Sequence, residues 1–223
     1  MKPLAFHPRF EDLPAEVPLF PLPEAFLLPW AQIPLNIFEP RYLNMIAGAL
    51  QNKRMFGFIQ SLEEENMVSV PQLSRIGCLA RISSFHETED GRLVIAATGV
   101  CRFRITEELQ STDGYRRARV DYSEFEMDLE PQDAITIPNR ARLLELADAV
   151  VMKNFPPDER DILPRLSDAG MVAFIALVGP FDGADKQMLL ECGNVRKQAE
   201  ILQTLLEMAQ HTPFEGQDYS QMN

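Results

Sequence analysis

Between Val17 and Tyr42 an apolar stretch is interrupted by Pro18, Pro21, Pro23, Pro29, Pro34 and Pro40, and this limits the fold more than any other feature. Proline within a helix removes a hydrogen bond and clashes with the preceding turn; within a central strand it removes a ladder donor. The stretch therefore reads as short strands joined by turns. Val17 to Leu22 forms one, ended by Pro23-Glu24, and Phe26-Leu27-Leu28 is a second apolar run. Pro29-Trp30-Ala31-Gln32 reads as a turn, and Ile33 to Phe38 as the next strand. Pro21, Pro29 and Pro34 place these segments at sheet edges or bulges.

At Glu39-Pro40-Arg41 the period changes. Pro40 suits the first turn of a helix, where its missing N–H costs little, and Tyr42, Leu43, Ile46, Ala47 and Leu50 recur at helical spacing. Strand patterns resume at Met55 to Gln60, and Glu63-Glu64-Glu65-Asn66 reads as a solvated loop. Cys78 to Ile82 is strand-like, and Asp90-Gly91 is a hairpin signal. Leu93 to Ile105 returns with Cys101, Phe103 and Ile105 alternating with Arg102 and Arg104, the pattern of a half-buried strand. Tyr115 to Tyr122 is the next strand, and Glu124 to Asp133 reads as an acidic linker.

Beyond it the chain turns helical. Pro138 to Lys153 carries a broad apolar stripe ended by Pro156-Pro157, and Asp158 to Leu163 forms a short helix. Ser167 caps a strongly apolar helix from Asp168 to Val178, stopped by Gly179-Pro180. Helices over Gly183 to Leu190 and from Asn194 to about His211 follow, then a polar tail. The expected organisation is an extended segment over 1–16, a β-rich subdomain over 17–130, a helical subdomain over 131–211 and a tail over 212–223. The class is α+β.

Chemistry is sparse. No glycine is followed by lysine, so a phosphate-cradling Walker loop is absent, as are GxGxxG and GxSxG. His86-Glu87-Thr88-Glu89-Asp90 approaches a zincin motif, but Asp90 stands at the second histidine position and the segment reads as a turn. His7 and His211 lie near the chain ends, where a preorganised site is hard to build. Neither an enzyme nor a metal or cofactor site is expected. A formal charge of −12 disfavours general nucleic-acid affinity. Cys78, Cys101 and Cys192 are scattered, without a CxxC pair, which fits a reducing cytoplasm. The most apolar run, Met171 to Val178, is too short to span a bilayer. Against the acidic average, Arg102, Arg104, Arg116, Arg117 and Arg119 cluster on two strands that can pair. They form either an anion- or RNA-contacting patch or a solvated face paired with nearby carboxylates.

One ordered set of motifs carries a resemblance. Val17-Pro18-Leu19-Phe20-Pro21-Leu22 followed by Phe26-Leu27-Leu28-Pro29, then Ile33-Pro34-Leu35-Asn36-Ile37-Phe38-Glu39-Pro40-Arg41-Tyr42, resembles the opening of Lon protease N-terminal domains. Ile76-Gly77-Cys78, Asp90-Gly91-Arg92 and the Gly99-x-x-Arg102-Phe103-x-Ile105 strand are similar to the family's central strands. Leu166-Ser167-Asp168 and Lys186-Gln187-Met188-Leu189-Leu190-Glu191 continue the likeness, which spans roughly Val17 to Met208. Two positions depart from it. Trp30, the sole tryptophan, stands where glycine commonly follows the turn proline, and Gln198 stands where arginine is usual.

The resemblance implies a PUA-like twisted β pseudo-barrel carrying one helix, followed by a C-terminal helical bundle. In full-length Lon this region is similar to a recognition arm that precedes an ATPase module and a Ser–Lys protease. Because the chain stops at Asn223, the expectation is a module that binds unfolded or partly folded polypeptides, or a partner protein, without cutting them. Phe26, Leu28 and Trp30 are the expected contacts, since a turn carrying tryptophan is a natural anchor. Self-association is compatible with such a module. PUA-like barrels also bind RNA, and for that alternative the expected contacts are Arg102, Arg104, Arg117 and Arg119.

Overall fold

The computed structural model describes residues 8–62, 71–111, 113–130, 135–156 and 160–210. The loop expected over Glu63 to Asn66 and the polar tail lie outside them. The chain forms two compact units. One comprises residues 1–134 with 183–191, and the other comprises 135–182 with 192–223.

The first unit is a closed sheet. Its strands are β1 (Glu16–Leu22), β2 (Gln32–Ile37), β3 (Met55–Gln60), β4 (Ile76–Glu87), β5 (Leu93–Leu109) and β6 (Arg117–Asp121), in spatial order β2-β5-β4-β3-β1-β6. β5 also pairs with β6, so β5, β4, β3, β1 and β6 close a ring and β2 lies outside it. The 17-residue length of β5 makes this arrangement feasible. Its beginning, Leu93–Thr98, faces β2, and its end, Arg104–Leu109, faces β6. Register shifts at Leu79/Ala80, Ile82/Ser84 and Ile105/Glu107 bend β4 and β5 as barrel closure requires.

Of the two proline-bearing strands, only one lies at a sheet edge. β2 is an edge strand as expected, but β1 is internal, antiparallel to β6 through Glu16–Pro18 and parallel to β3 through Leu19–Leu22. β1 changes partner partway along, so Pro18 and Pro21 each lie in a stretch with one registered neighbour. Phe26-Leu27-Leu28 is buried but forms no strand. The stretch read as an acidic linker instead begins with two merged 3-10 turns over Ser123–Leu129, kinked at Phe125. The segment expected to be extended before β1 contains a 3-10 turn over Phe10–Asp12.

The barrel interior is filled by large side chains opposite glycines. The Phe103 ring lies where a Cβ on Gly77 would come within 2.6 Å of it, and one on Gly57 within 2.9 Å. Phe56, Leu19 and Leu79 complete this core. Helix α1 (Pro40–Gln51) buries Tyr42, Met45, Ile46 and Ala49, a face rotated from the expected one, with Ala47 exposed. Tyr42 meets Phe20 of β1 edge-on, ring centroids 4.4 Å apart.

The second unit is helical: α2 (Arg140–Val150), α3 (Asp168–Val178) and α5 (Val195–Gln210), with 3-10 turns at Met152–Asn154 and Arg160–Arg165. Ser167 caps α3 by accepting from the Gly170 N–H at 3.1 Å, and Asn194 Oδ1 accepts from the Lys197 N–H at 3.0 Å. Helix α4 (Gly183–Glu191) lies within the helical stretch of the sequence yet belongs to the β unit. It is held there by Gln187 Nε2 donating to the Ile76 carbonyl at 3.1 Å and by an ion pair of Lys186 with Glu24.

Candidate functional site

The expected anchor turn forms. Ala31 N–H donates to the Leu28 carbonyl at 3.1 Å, and Trp30 has φ +67°, as the third position of a type II turn demands. Glycine suits that position because an L side chain there costs roughly 1–2 kcal/mol. The turn lies directly on β5, with Trp30 N–H donating to Gly99 C=O at 2.8 Å and Gly99 N–H to Ala31 C=O at 2.9 Å. A Cβ on Gly99 would be 2.2 Å from the Leu28 carbonyl oxygen, so the close approach needs that glycine.

The three residues expected to contact a partner are placed differently. Phe26 and Leu28 are 4% and 3% exposed and belong to the core. Apolar character alone does not separate a buried run from a sticky one. Trp30 is half-buried, and its indole N–H donates to the Asp128 carbonyl at 2.8 Å. Next to Asp128, Met127 is 76% exposed.

Asp128 is the residue that sequence reading missed. Its carboxylate accepts from Arg102 Nε at 2.8 Å, Arg102 Nη2 at 2.7 Å and the Arg102 backbone N–H at 3.0 Å. Arg102 Nη1 donates to the Leu190 carbonyl of α4 at 3.0 Å, and the guanidinium lies 4.8 Å from the Phe125 ring centroid. Arg102 is only 4% exposed and Asp128 7%. Burial pulls the guanidinium pKa down, but the Asp128 hydrogen bonds and charge more than offset this, leaving it above its ordinary value. Period-two alternation put Arg102 on a solvated face; the 3-10 segment and α4 cover that face. The only signal for Asp128 was an acid set between Met127 and Leu129.

The remaining arginines are also neutralised locally. Arg104 forms a two-pronged pair with Glu124 at 2.7 and 2.8 Å. Arg116 pairs with Glu108, Arg117 with Glu16, and Arg119 with both Glu16 and Glu107. Each arginine of the expected anion patch is thus paired with a carboxylate, Arg102 and Arg104 with the 3-10 segment and Arg116, Arg117 and Arg119 with Glu108, Glu16 and Glu107, and Arg102 is buried. Cys78 and Cys101 are buried free thiols whose pKa values burial pushes well up, with the Asp128 charge adding to the effect. Among the described residues, no group of three or more His, Cys, Asp or Glu could hold a metal ion, and no helix is long and apolar enough to cross a membrane.

A groove of about 370 Å³ opens elsewhere on the same unit, beside α1 and the start of β1. Met45, Ala49 and Met55 form its buried floor. Pro14, Pro18 and Tyr115 stand along its sides, and Lys53, Glu16 and Arg117 supply its charges. Its volume is near the lower end of the roughly 300–1,000 Å³ usual for ligand clefts.

Residues 16–208 match the family model of the ATP-dependent protease La (LON) substrate-binding domain. Among curated proteins, the chain is 23% identical over 198 residues to Lon protease 2 of Myxococcus xanthus, covering 88% of this chain and 24% of that protein. It is 24% identical over 195 residues to Lon protease of Escherichia coli K12, covering 86% and 24%. The chain thus spans about a quarter of the length of the curated relatives it matches. A Lon N-terminal domain protein from Xanthomonas campestris superposes with a TM-score of 0.60 at 24% identity, covering 85% of this chain and 97% of that one. The N-terminal domain of Mycobacterium avium complex Lon protease gives 0.59 at 16%, covering 86% and 98%.

Proposed function

Because the chain belongs to the Lon substrate-binding domain family, we propose that it is a polypeptide-binding module, recognising unfolded or partly folded chains without catalysing a reaction on them. The observation that carries this reading is the family match over residues 16–208, which takes in both compact units. The chemistry agrees: Arg102, Arg104, Arg116 and Arg119 are each paired with a carboxylate, while a half-buried tryptophan and an exposed methionine lie on neighbouring segments. Flexible methionine and amphipathic tryptophan are suited to varied apolar partners. Trp30 with Met127 takes over the contact role first expected of Phe26, Leu28 and Trp30, since Phe26 and Leu28 are buried. Three free buried cysteines suit a reducing cytoplasm.

The test is fluorescence anisotropy with a permanently unfolded client, reduced and alkylated lysozyme, titrated with the purified protein. Saturable binding that persists at 0.5 M salt is expected. Absence of binding, or binding to native lysozyme of equal strength, refutes the function.

A further inference from the structure

We infer that the groove beside α1 is a side-chain pocket for an extended polypeptide, taking an apolar side chain immediately followed by a carboxylate. The inference rests on the polypeptide-binding reading and gives it a location and a sequence preference.

The apolar half of the preference comes from the floor. Met45, Ala49 and Met55 line the groove together with Pro14, Pro18 and Tyr115; Met45 is fully buried, and Ala49 and Met55 keep 5% and 8% of their surface exposed. A flexible methionine at the floor, Met55, can adapt to aliphatic and aromatic guests. Gly48, in the middle of α1, leaves room here. A Cβ built on it would meet only the Tyr115 hydroxyl, at 3.9 Å.

The acidic half comes from charge. Lys53 is exposed and donates only to the Asp12 backbone carbonyl, at 2.7 Å, so among the described residues its charge faces no carboxylate. Arg117 reaches one oxygen of Glu16 at 3.2 Å, while the other oxygen is held by Arg119 at 3.3 Å. The groove lining therefore carries two cations, Lys53 and Arg117, against one carboxylate, Glu16, which is shared with Arg119, itself also paired with Glu107. On a chain of net charge −12 this is a local reversal, and it favours a guest bearing negative charge.

Gly48 also supplies the decisive variant. Gly48→Phe places a ring into the open space, and replacing a helical glycine favours the helix, so occlusion does not come at the expense of folding. Gly48→Ala makes the same backbone change without filling the groove. Binding is measured with the full chain and fluorescein-labelled Gly/Ser decapeptides containing a central Leu-Glu, Leu-Lys or Ser-Glu.

The Leu-Glu peptide is expected to bind at least fivefold more tightly than the other two. Gly48→Phe weakens it at least tenfold, Gly48→Ala leaves it unchanged, and Lys53→Glu removes the preference over Leu-Lys. Equal binding of the three peptides, or full affinity in Gly48→Phe, overturns the inference. Unfolded lysozyme separates the two readings. If it binds wild type and Gly48→Phe equally, the groove is excluded and the polypeptide-binding function stands. If it does not bind wild type at all, that function fails as well.

Discussion

Replacing Asp128 by alanine removes the carboxylate that accepts three hydrogen bonds from Arg102. A guanidinium only 4% exposed then loses the carboxylate that balances its charge, while the Leu190 carbonyl and the Phe125 face remain beside it. Breaking a buried ion pair from one side costs roughly 3–5 kcal/mol, a large part of the roughly 5–15 kcal/mol that stabilises an ordinary domain. With urea m-values of about 1–3 kcal/mol/M, the unfolding midpoint should fall by at least about 1 M. The assay is built in. Trp30 is the only tryptophan, and its indole donates to the backbone carbonyl of Asp128, so its fluorescence follows unfolding of the β unit alone. The backbone carbonyl survives the substitution, so any change in native emission reports displacement of the 3-10 segment. Arg102→Met with Asp128→Leu should recover most of the loss, since paired apolar replacements of buried ion pairs are often neutral or stabilising. A loss below about 1 kcal/mol in Asp128→Ala, the value of a surface pair, would refute the argument.

Further outcomes follow from the same geometry. Trp30→Ala should be less stable than Trp30→Gly by about 1 kcal/mol, since both lose the indole and only alanine keeps the cost of positive φ; equal stabilities in urea, followed by circular dichroism, would exclude that strain. Gly57→Ala should cost about 1–3 kcal/mol by overpacking, and Phe103→Leu in the same chain should return part of it, because the crowding atoms belong to the Leu19 and Phe103 side chains; thermal melts of single and double variants check this. Cys78 and Cys101 should resist iodoacetamide at pH 8 and react on unfolding, since burial raises both thiol pKa values; rapid native labelling, located by mass spectrometry, contradicts this. The Arg104 hydrogen bonds and charge hold the Glu124 carboxyl below its ordinary range. Its contribution to stability is therefore present at neutral pH and is lost as pH falls through that lowered value. An NMR titration should show Glu124 returning to the ordinary range in Arg104→Gln.

Local signals were legible, and partnerships across the chain were not. Ser167 and Asn194 announced their caps because capping is decided within three residues. Asp90-Gly91 announced its hairpin, and Gly91 has φ +80°. The motif order from Val17 to Met208 pointed to the family that the match over 16–208 shows. Period two identified the second half of β5 as a strand but left Arg102 facing water, because the covering residues, Asp128 and Leu190, lie 26 and 88 positions away. Proline chemistry identified β2 as an edge and missed β1, whose change of partner is a property of the closed ring. The Phe26 to Leu28 run was visible as apolar, but its burial depends on the approach of Gly99 to Leu28.

The position of β1 also governs how the chain can fold as it is made. β1 pairs with β6, Glu16 opposite Arg119, so the ring has no way to close until β6 has left the ribosome. Arg102 then waits longer for its partner on α4, because Leu190 is made 69 residues after Asp121. At about 5–20 residues per second, that is an interval of roughly 3 to 14 s. During it one guanidinium N–H group lacks its final acceptor, and the face that α4 covers is open to whatever binds nascent chains.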